Sequence, residues 1–183
     1  MNSYIDIEIK PDAEMRLNVL LNGIYAKLHK ALHDLTSTNI GVSFPKYNNT
    51  LGNILRIHGE DTALHNLCRV NWIGNMSGYC KISEIKPVPI DSKFRTISRK
   101  QTTMSQSKLN RLLKRGSISE DEIKQYKAKM FAKGLDNPYV ELESVSNGHK
   151  YRRYIEFGKL LDNPIAGEFD QFGLSKTATV PIF

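Results

Sequence analysis

A chain of 183 residues with 40% hydrophobic and 25% charged positions has a globular composition, which excludes disordered and fibrous classes. It holds no run of eighteen apolar residues and no basic-then-apolar leader, so a soluble cytoplasmic protein with no membrane partner is expected. The net charge of +7 is local: no acid separates Asp91 from Glu120, eight Lys and Arg lie between them, and the rest of the chain nets −1, a pattern that points to a polyanion such as nucleic acid.

The first elements follow from periodicity. Tyr4–Ile9 (YIDIEI) alternates as a strand and is broken by Pro11-Asp12. From about Glu14 to Leu35, leucines and Ile24 recur at helical spacing. With Leu28 central in that stripe, His29 falls about 100° around the helix, at the stripe's edge near Tyr25, while His33 lies further out. Ile40–Phe44 and Asn53–Gly59 read as strands, residues 60–70 as a short helix with acids in its first turn, and Gly78–Val88 as one alternating strand. The order β-α-β-β-α-β predicts an α+β chain whose residues 1–90 form a ferredoxin-like domain. Residues 91–183 form a divergent second half.

In that half, Phe94–Gln101 reads as extended, Ser105–Arg115 as a basic helix stopped by Gly116, and Ser119 with Glu122 as a capping box for a helix to about Lys133. Two alternating strands then flank Asn147-Gly148, the preferred pair for a tight hairpin turn. Periodicity does not settle the tail, FDQFGLSKTATVPIF.

Several chemistries lack their signatures. No carboxylate pair has the spacing of a two-metal or glycosidase site. His58, His65, Cys68 and Cys80 match no metal spacing and the two cysteines no disulfide framework. Neither a phosphate-cradling glycine loop nor G-x-S-x-G occurs, so no metal or cofactor is expected. Arg99 and Gln101 stand two apart, on one face of a strand; arginine matches the guanine edge and glutamine the adenine edge. Arg111 and Arg115 share a helix face about 5.4 Å apart, flanked by Lys108 and Lys114, a spacing suited to phosphates. Taken by itself, the Arg99/Gln101 pair reads more readily as a surface feature. Ser144 and Ser146 alternate before the hairpin turn, where serines are more often caps. Tyr151 opens the return strand, where an aromatic can stack on a base.

Together, YIDIEIKPD, KLHKAL, IGVSFP, LRIH, SRKQ, the S-x-S before the turn and FGLSK resemble, in order and spacing, the CRISPR repeat-processing endoribonucleases of type I-F systems. The resemblance spans essentially the whole chain. It implies metal-independent cleavage of CRISPR precursor RNA at the base of the repeat hairpin, by attack of a ribose 2′-OH that leaves a 2′,3′-cyclic phosphate and a 5′-OH. It makes His29 the base, Ser144 the active-site serine and Ser146 its auxiliary. Tyr151 becomes the aromatic under the terminal base pair, Arg99 and Gln101 the base readers, and Lys108, Arg111, Lys114 and Arg115 the groove helix. The implied partners are the repeat hairpin RNA, the other subunits of a Cascade complex, target DNA only indirectly, and a transposition protein (TniQ) where the system is transposon-borne. Two departures stand out. Phe172 occupies the place where the family commonly has a tyrosine whose hydroxyl helps to place the histidine, and the basic helix is sparse in arginine. The alternative reading is a hairpin-holding Cascade subunit with weak or no nuclease activity.

Overall fold

In the computed structural model, which describes residues 1–101, 106–132, 136–144 and 148–183, strand β1 (Ser3–Ile9) buries every second residue and anchors a five-stranded sheet. Helix α1 (Leu17–Asp34) lays Leu20, Leu21, Ile24, Tyr25, Leu28, Ala31 and Leu32 into the core, the i, i+3/i+4 stripe that its spacing predicts. It begins later than periodicity suggested because Asp12 Oδ1 accepts the Glu14 and Met15 amides at 2.9 and 2.7 Å, holding them in a turn. His29 is half-buried at the stripe's edge and His33 is exposed.

Strands β2 (Gly41–Ser43), β3 (Ile54–Gly59) and β4 (Cys80–Ile82) complete the order β2-β3-β1-β4, antiparallel throughout, with helix α2 (Asp61–Arg69) between β3 and β4. The single strand expected over residues 78–88 is corrected in two ways. Gly74–Tyr79 is a 3₁₀ turn. The remainder is split, because Ile7 faces Ile82 on β4 while Tyr4 faces Lys86 on β5 (Lys86–Pro87), which leaves one residue extra. That residue belongs to a bulge in which Ser83 exchanges two hydrogen bonds with the Asp6 backbone, at 2.9 and 3.0 Å.

The extended run at residues 94–101 is two strands in two sheets. Strand β6 (Lys93–Arg95) pairs with β10 (Val180–Ile182) from the tail, whereas β7 (Ile97–Lys100) joins the sheet β7-β9-β8, with β8 at Tyr139–Glu143 and β9 at Lys150–Phe157. The chain changes sheets at Thr96, whose carbonyl accepts the Gly158 amide at 2.9 Å. Helix α3 (Gln106–Lys114) buries Leu109. Helix α4 (Glu120–Ala132) begins at the predicted capping box, Ser119 N–H donating to Glu122 Oε2 at 2.8 Å and Glu122 N–H to Ser119 Oγ at 3.3 Å.

The hairpin's register differs from the tight turn expected at Asn147-Gly148. Glu143 pairs with Lys150 and Ser144 N–H donates to His149 O, a register that does not centre a two-residue turn on positions 147 and 148; Asn147 itself lies outside the described residues. Gly148 takes φ +64° and its amide closes back on Ser144 O at 2.8 Å, so the glycine serves the end of the loop rather than its tip. The tail also packs inward. Phe169, Leu174, Ala178 and Val180 are buried in one hydrophobic cluster with Ile7, Leu28, Ile97, Leu142 and Ile155, and Val42 N–H donates to Gly173 O at 3.0 Å. The tail thereby covers the outer edge of β2.

Candidate active site

Asn22, Tyr25 and His29 lie at i, i+3 and i+7 on α1, and together they fasten two pieces of the second half to one side of the helix, Asn22 the strand β8 and the other two the tail loop. Asn22 Oδ1 accepts the Glu141 amide at 3.0 Å, which gives edge strand β8 a partner for a donor its ladder leaves open. The Tyr25 hydroxyl donates to Phe172 O at 2.8 Å. Burial, and then the Asp170 carboxylate, push the Tyr25 pKa far up, so this hydroxyl stays a hydrogen-bond donor and takes no part in proton transfer near neutral pH. Replacing Asn22 with Ala should destabilise the protein by about 1 kcal/mol, since one buried-edge hydrogen bond is lost; a denaturant midpoint equal to wild type would show that β8 docks without it.

His29 Nδ1 lies 2.9 Å from Gln171 O. A carbonyl only accepts, so Nδ1 carries the proton and donates, leaving Nε2 with the lone pair. The carbonyl is presented by a tight loop. Asp170 Oδ1 accepts the Phe172 and Leu174 amides, both at 2.9 Å, and Asp170 O accepts the Gly173 amide at 2.8 Å. Gly173 sits at φ +69°, and a Cβ there would meet Val42 Cγ1 at 2.8 Å, so the loop demands glycine on two grounds. The same loop stacks the Phe172 ring on the His29 imidazole, with centroids 3.6 Å apart and planes 11° apart. Arg153 Cζ is 3.5 Å from that ring's centroid. Two such approaches cannot share one face, so Phe172 lies between the imidazole and the guanidinium.

Arg153 belongs to β9, and the sheet's register collects further candidates on its side. Arg99 pairs with Ile155, Val140 with Arg153 and Leu142 with Tyr151. Directly paired residues share a face, and alternation adds Ser144, whose amide continues the ladder to His149 O, while Gln101 lies just past the end of β7. Arg99 and Gln101 are exposed; Tyr151 and Ser144 are half-buried. Strand β8 also runs along α1 in the helix's own direction, since Tyr139 shares a cleft with Leu17 and Leu21 and Glu141 meets Asn22. Ser144 lies three strand residues beyond Glu141, about 10 Å. His29 lies seven helix residues beyond Asn22, about 10.5 Å. The two therefore stand at about the same level of adjoining elements. Ser146 falls outside the described residues. Lys108, Arg111 and Lys114 are exposed on α3, a separate element, and Arg115 is exposed in the turn just past its end.

Sequence reasoning missed Arg153, Asp170 and the Gln171 carbonyl. Arg153 was detectable as a charged residue in phase with Tyr151 and Ile155. Asp170 with Gly173 three residues later is a turn signature. A main-chain carbonyl carries no signal in the side-chain pattern. Among the described residues no three His, Cys, Asp or Glu side chains gather as a metal site would require.

The model of the family described as CRISPR-associated protein (Cas_Csy4) matches residues 4–183. A protein of Escherichia coli (strain UTI89 / UPEC), named CRISPR-associated endonuclease Cas6/Csy4, is 35% identical over 184 residues, covering 100% of both chains. One of Pseudomonas aeruginosa (strain UCBPP-PA14) with the same name is 34% identical over 187 residues, again covering 100% of both. A solved structure described as CRISPR endoribonuclease Cse3 bound to 19 nt RNA aligns over 99% of this chain and 100% of that one, at a TM-score of 0.40 and 11% identity, a likeness too slight to carry anything further.

Proposed function

The chain belongs to the CRISPR-associated Cas_Csy4 family, and on that premise we propose that it is the endoribonuclease that cuts CRISPR precursor RNA at the 3′ base of the repeat hairpin and then keeps the product as a subunit of a type I-F Cascade complex. The observation that carries the proposal is the state of His29: Nδ1–H is held by Gln171 O, and among the described residues Nε2 has no hydrogen-bond partner, so a lone pair is available to take a proton.

The ribose 2′-OH upstream of the scissile phosphate gives its proton to His29 Nε2 and attacks the phosphorus in line. The P–O5′ bond breaks and the departing 5′-oxygen takes a proton from water, leaving a 2′,3′-cyclic phosphate and a 5′-OH; His29 then returns its proton to solvent. Ser144, level with His29, holds the ribose hydroxyl in the attacking geometry, with Ser146 assisting. These groups suffice for the reaction without a metal. Tyr151 supports the terminal base pair, Arg99 and Gln101 read bases, and Lys108, Arg111, Lys114 and Arg115 track phosphates along the stem. The strand order β2-β3-β1-β4 fits a ferredoxin-like unit over residues 1–90 that carries the base, with residues 91–183 as the recognition half. A TniQ-type transposition protein joins the partners where the system is transposon-borne.

Purified protein should cut a short repeat-hairpin RNA in EDTA and leave a cyclic phosphate. Tight binding with no product under those conditions would leave only the hairpin-holding role.

A further inference from the structure

We propose that Arg153 is a positioning residue for the cleavage reaction: through the ring of Phe172 it fixes the plane of the His29 imidazole and couples it to the sheet that reads the RNA. This rests on His29 being the base, as argued above.

Three observations converge on Arg153. It is 7% exposed, although an arginine is seldom this buried without full pairing. Its compensation is thin: Asp170 Oδ2 is 4.0 Å from the guanidinium, at the outer limit of an ion pair, and Nε is buried with no hydrogen-bond partner among the described residues. What the guanidinium does have is a flat contact, Cζ standing 3.5 Å from the Phe172 centroid on the face that His29 leaves free. Stability does not explain this arrangement, because an apolar side chain of similar volume would fill the same space without desolvating a charge.

A planar cation explains it. Guanidinium stacks on an aromatic face as an ammonium or an aliphatic chain does not, and it fixes the tilt of the ring as well as its position. The imidazole lies only 11° from that ring's plane, so the ring's tilt is passed on to His29. The Gln171 hydrogen bond holds Nδ1 but leaves the imidazole free to rock about the N–H···O line. The stack removes that freedom and sets where Nε2 points. The origin of Arg153 matters as well. It stands in β9 beside Tyr151 and on the face that carries Arg99, whereas His29 stands on α1. The path Arg153–Phe172–His29 is thus a rigid link from the RNA-reading sheet, through the tail loop, to the base.

The test uses full-length protein and a repeat-hairpin RNA under single-turnover conditions. Arg153→Met should slow cleavage by about 10²-fold, the penalty of an error near 1 Å in a reacting group, with hairpin Kd within about threefold of wild type. Arg153→Lys, which keeps the charge and loses the plane, should recover only a small part of the rate. Since Arg153 acts through Phe172, the double variant Arg153→Met/Phe172→Leu should cleave no more slowly than Phe172→Leu alone. In NMR spectra of Arg153→Met, the His29 ring protons should lose part of their upfield ring-current shift. If Arg153→Met does not fold, the same criteria apply to Arg153→Lys. Wild-type cleavage in either variant, a rate loss matched by an equal loss of affinity, or a double variant in which the two losses multiply would overturn the inference. His29→Ala runs alongside: if it cleaves at the wild-type rate, the reading of His29 falls and this inference with it, whereas an inactive His29→Ala beside a fully active Arg153→Met overturns the inference alone.

Discussion

Replacing His29 with Ala should lower the single-turnover rate of hairpin cleavage by about 10³-fold, about 4 kcal/mol of barrier, while leaving affinity for the RNA within about threefold of wild type. The separation of rate from affinity follows from where the residue stands. His29 is bound to the tail loop by one hydrogen bond and one ring face, and the groups proposed to hold RNA lie on or just past β7, β9 and α3. Removing the imidazole therefore deletes the proton acceptor without touching the binding surface. A 2′-deoxy substitution at the nucleotide upstream of the cut should be equally damaging, because it deletes the nucleophile that His29 activates. Combining the two should cost nothing more, since each alone already removes the same step. Uncompromised cleavage of the deoxy RNA would rule out 2′-OH attack. The fate of the missing tyrosine hydroxyl also follows from the geometry. Phe172 offers no hydroxyl, but Gln171 O and the stacked ring between them hold His29 by an edge and a face.

Legibility in the sequence followed the range of the interactions involved. The stripe of α1, the alternation of β1 and the capping box of α4 are set by neighbours within four residues, and periodicity found each of them. The position of His29 at the stripe's edge was found in the same way. The bulge between β4 and β5 was not, because it exists only against Asp6 on a partner strand far off in the sequence. The hairpin misled for a related reason: Asn147-Gly148 is a strong local turn signal, yet the pairing of Leu142 with Tyr151 fixes a register that puts Gly148 at the loop's end. The tail is the extreme case. Its order comes from Asp170 folding a loop on itself and from Phe169 and Val180 filling space beside Gly41, contacts without any period. The site inherits this division. Type and spacing placed His29 at the stripe's edge and Arg99 and Tyr151 on extended runs, and only the family resemblance attached roles to them, whereas Arg153 and the Gln171 carbonyl become meaningful only once the tail has been laid against α1.

Unfolding free energy should fall by about 2 kcal/mol between pH 7.5 and pH 5 through His58 alone. The side chain is fully buried on β3, its Nε2 is 2.8 Å from Ser43 Oγ, and its Nδ1 has no hydrogen-bond partner among the described residues. An imidazolium must donate from both nitrogens, and the structure offers an oxygen to only one. Burial, followed by the charge of Arg56, lowers the His58 pKa from 6.5 to about 3. Arg56 cannot move away, because its guanidinium holds Asp6 bidentately at 2.7 and 2.9 Å. Below pH 6.5 the unfolded chain therefore binds a proton that the folded protein refuses until about pH 3. Stability is complete above 6.5 and is lost at about 1.4 kcal/mol per pH unit as pH falls through that window. Urea titrations of wild type and His58→Gln at pH 7.5, 6 and 5 isolate the effect, since glutamine can keep a bond to Ser43 yet takes up no proton. The variant starts less stable at pH 7.5 because its fit is poorer, but its stability should decline less steeply, and the gap should narrow by about 2 kcal/mol at pH 5. Parallel curves would mean that His58 finds a partner for its second proton, so that its burial carries no acid sensitivity.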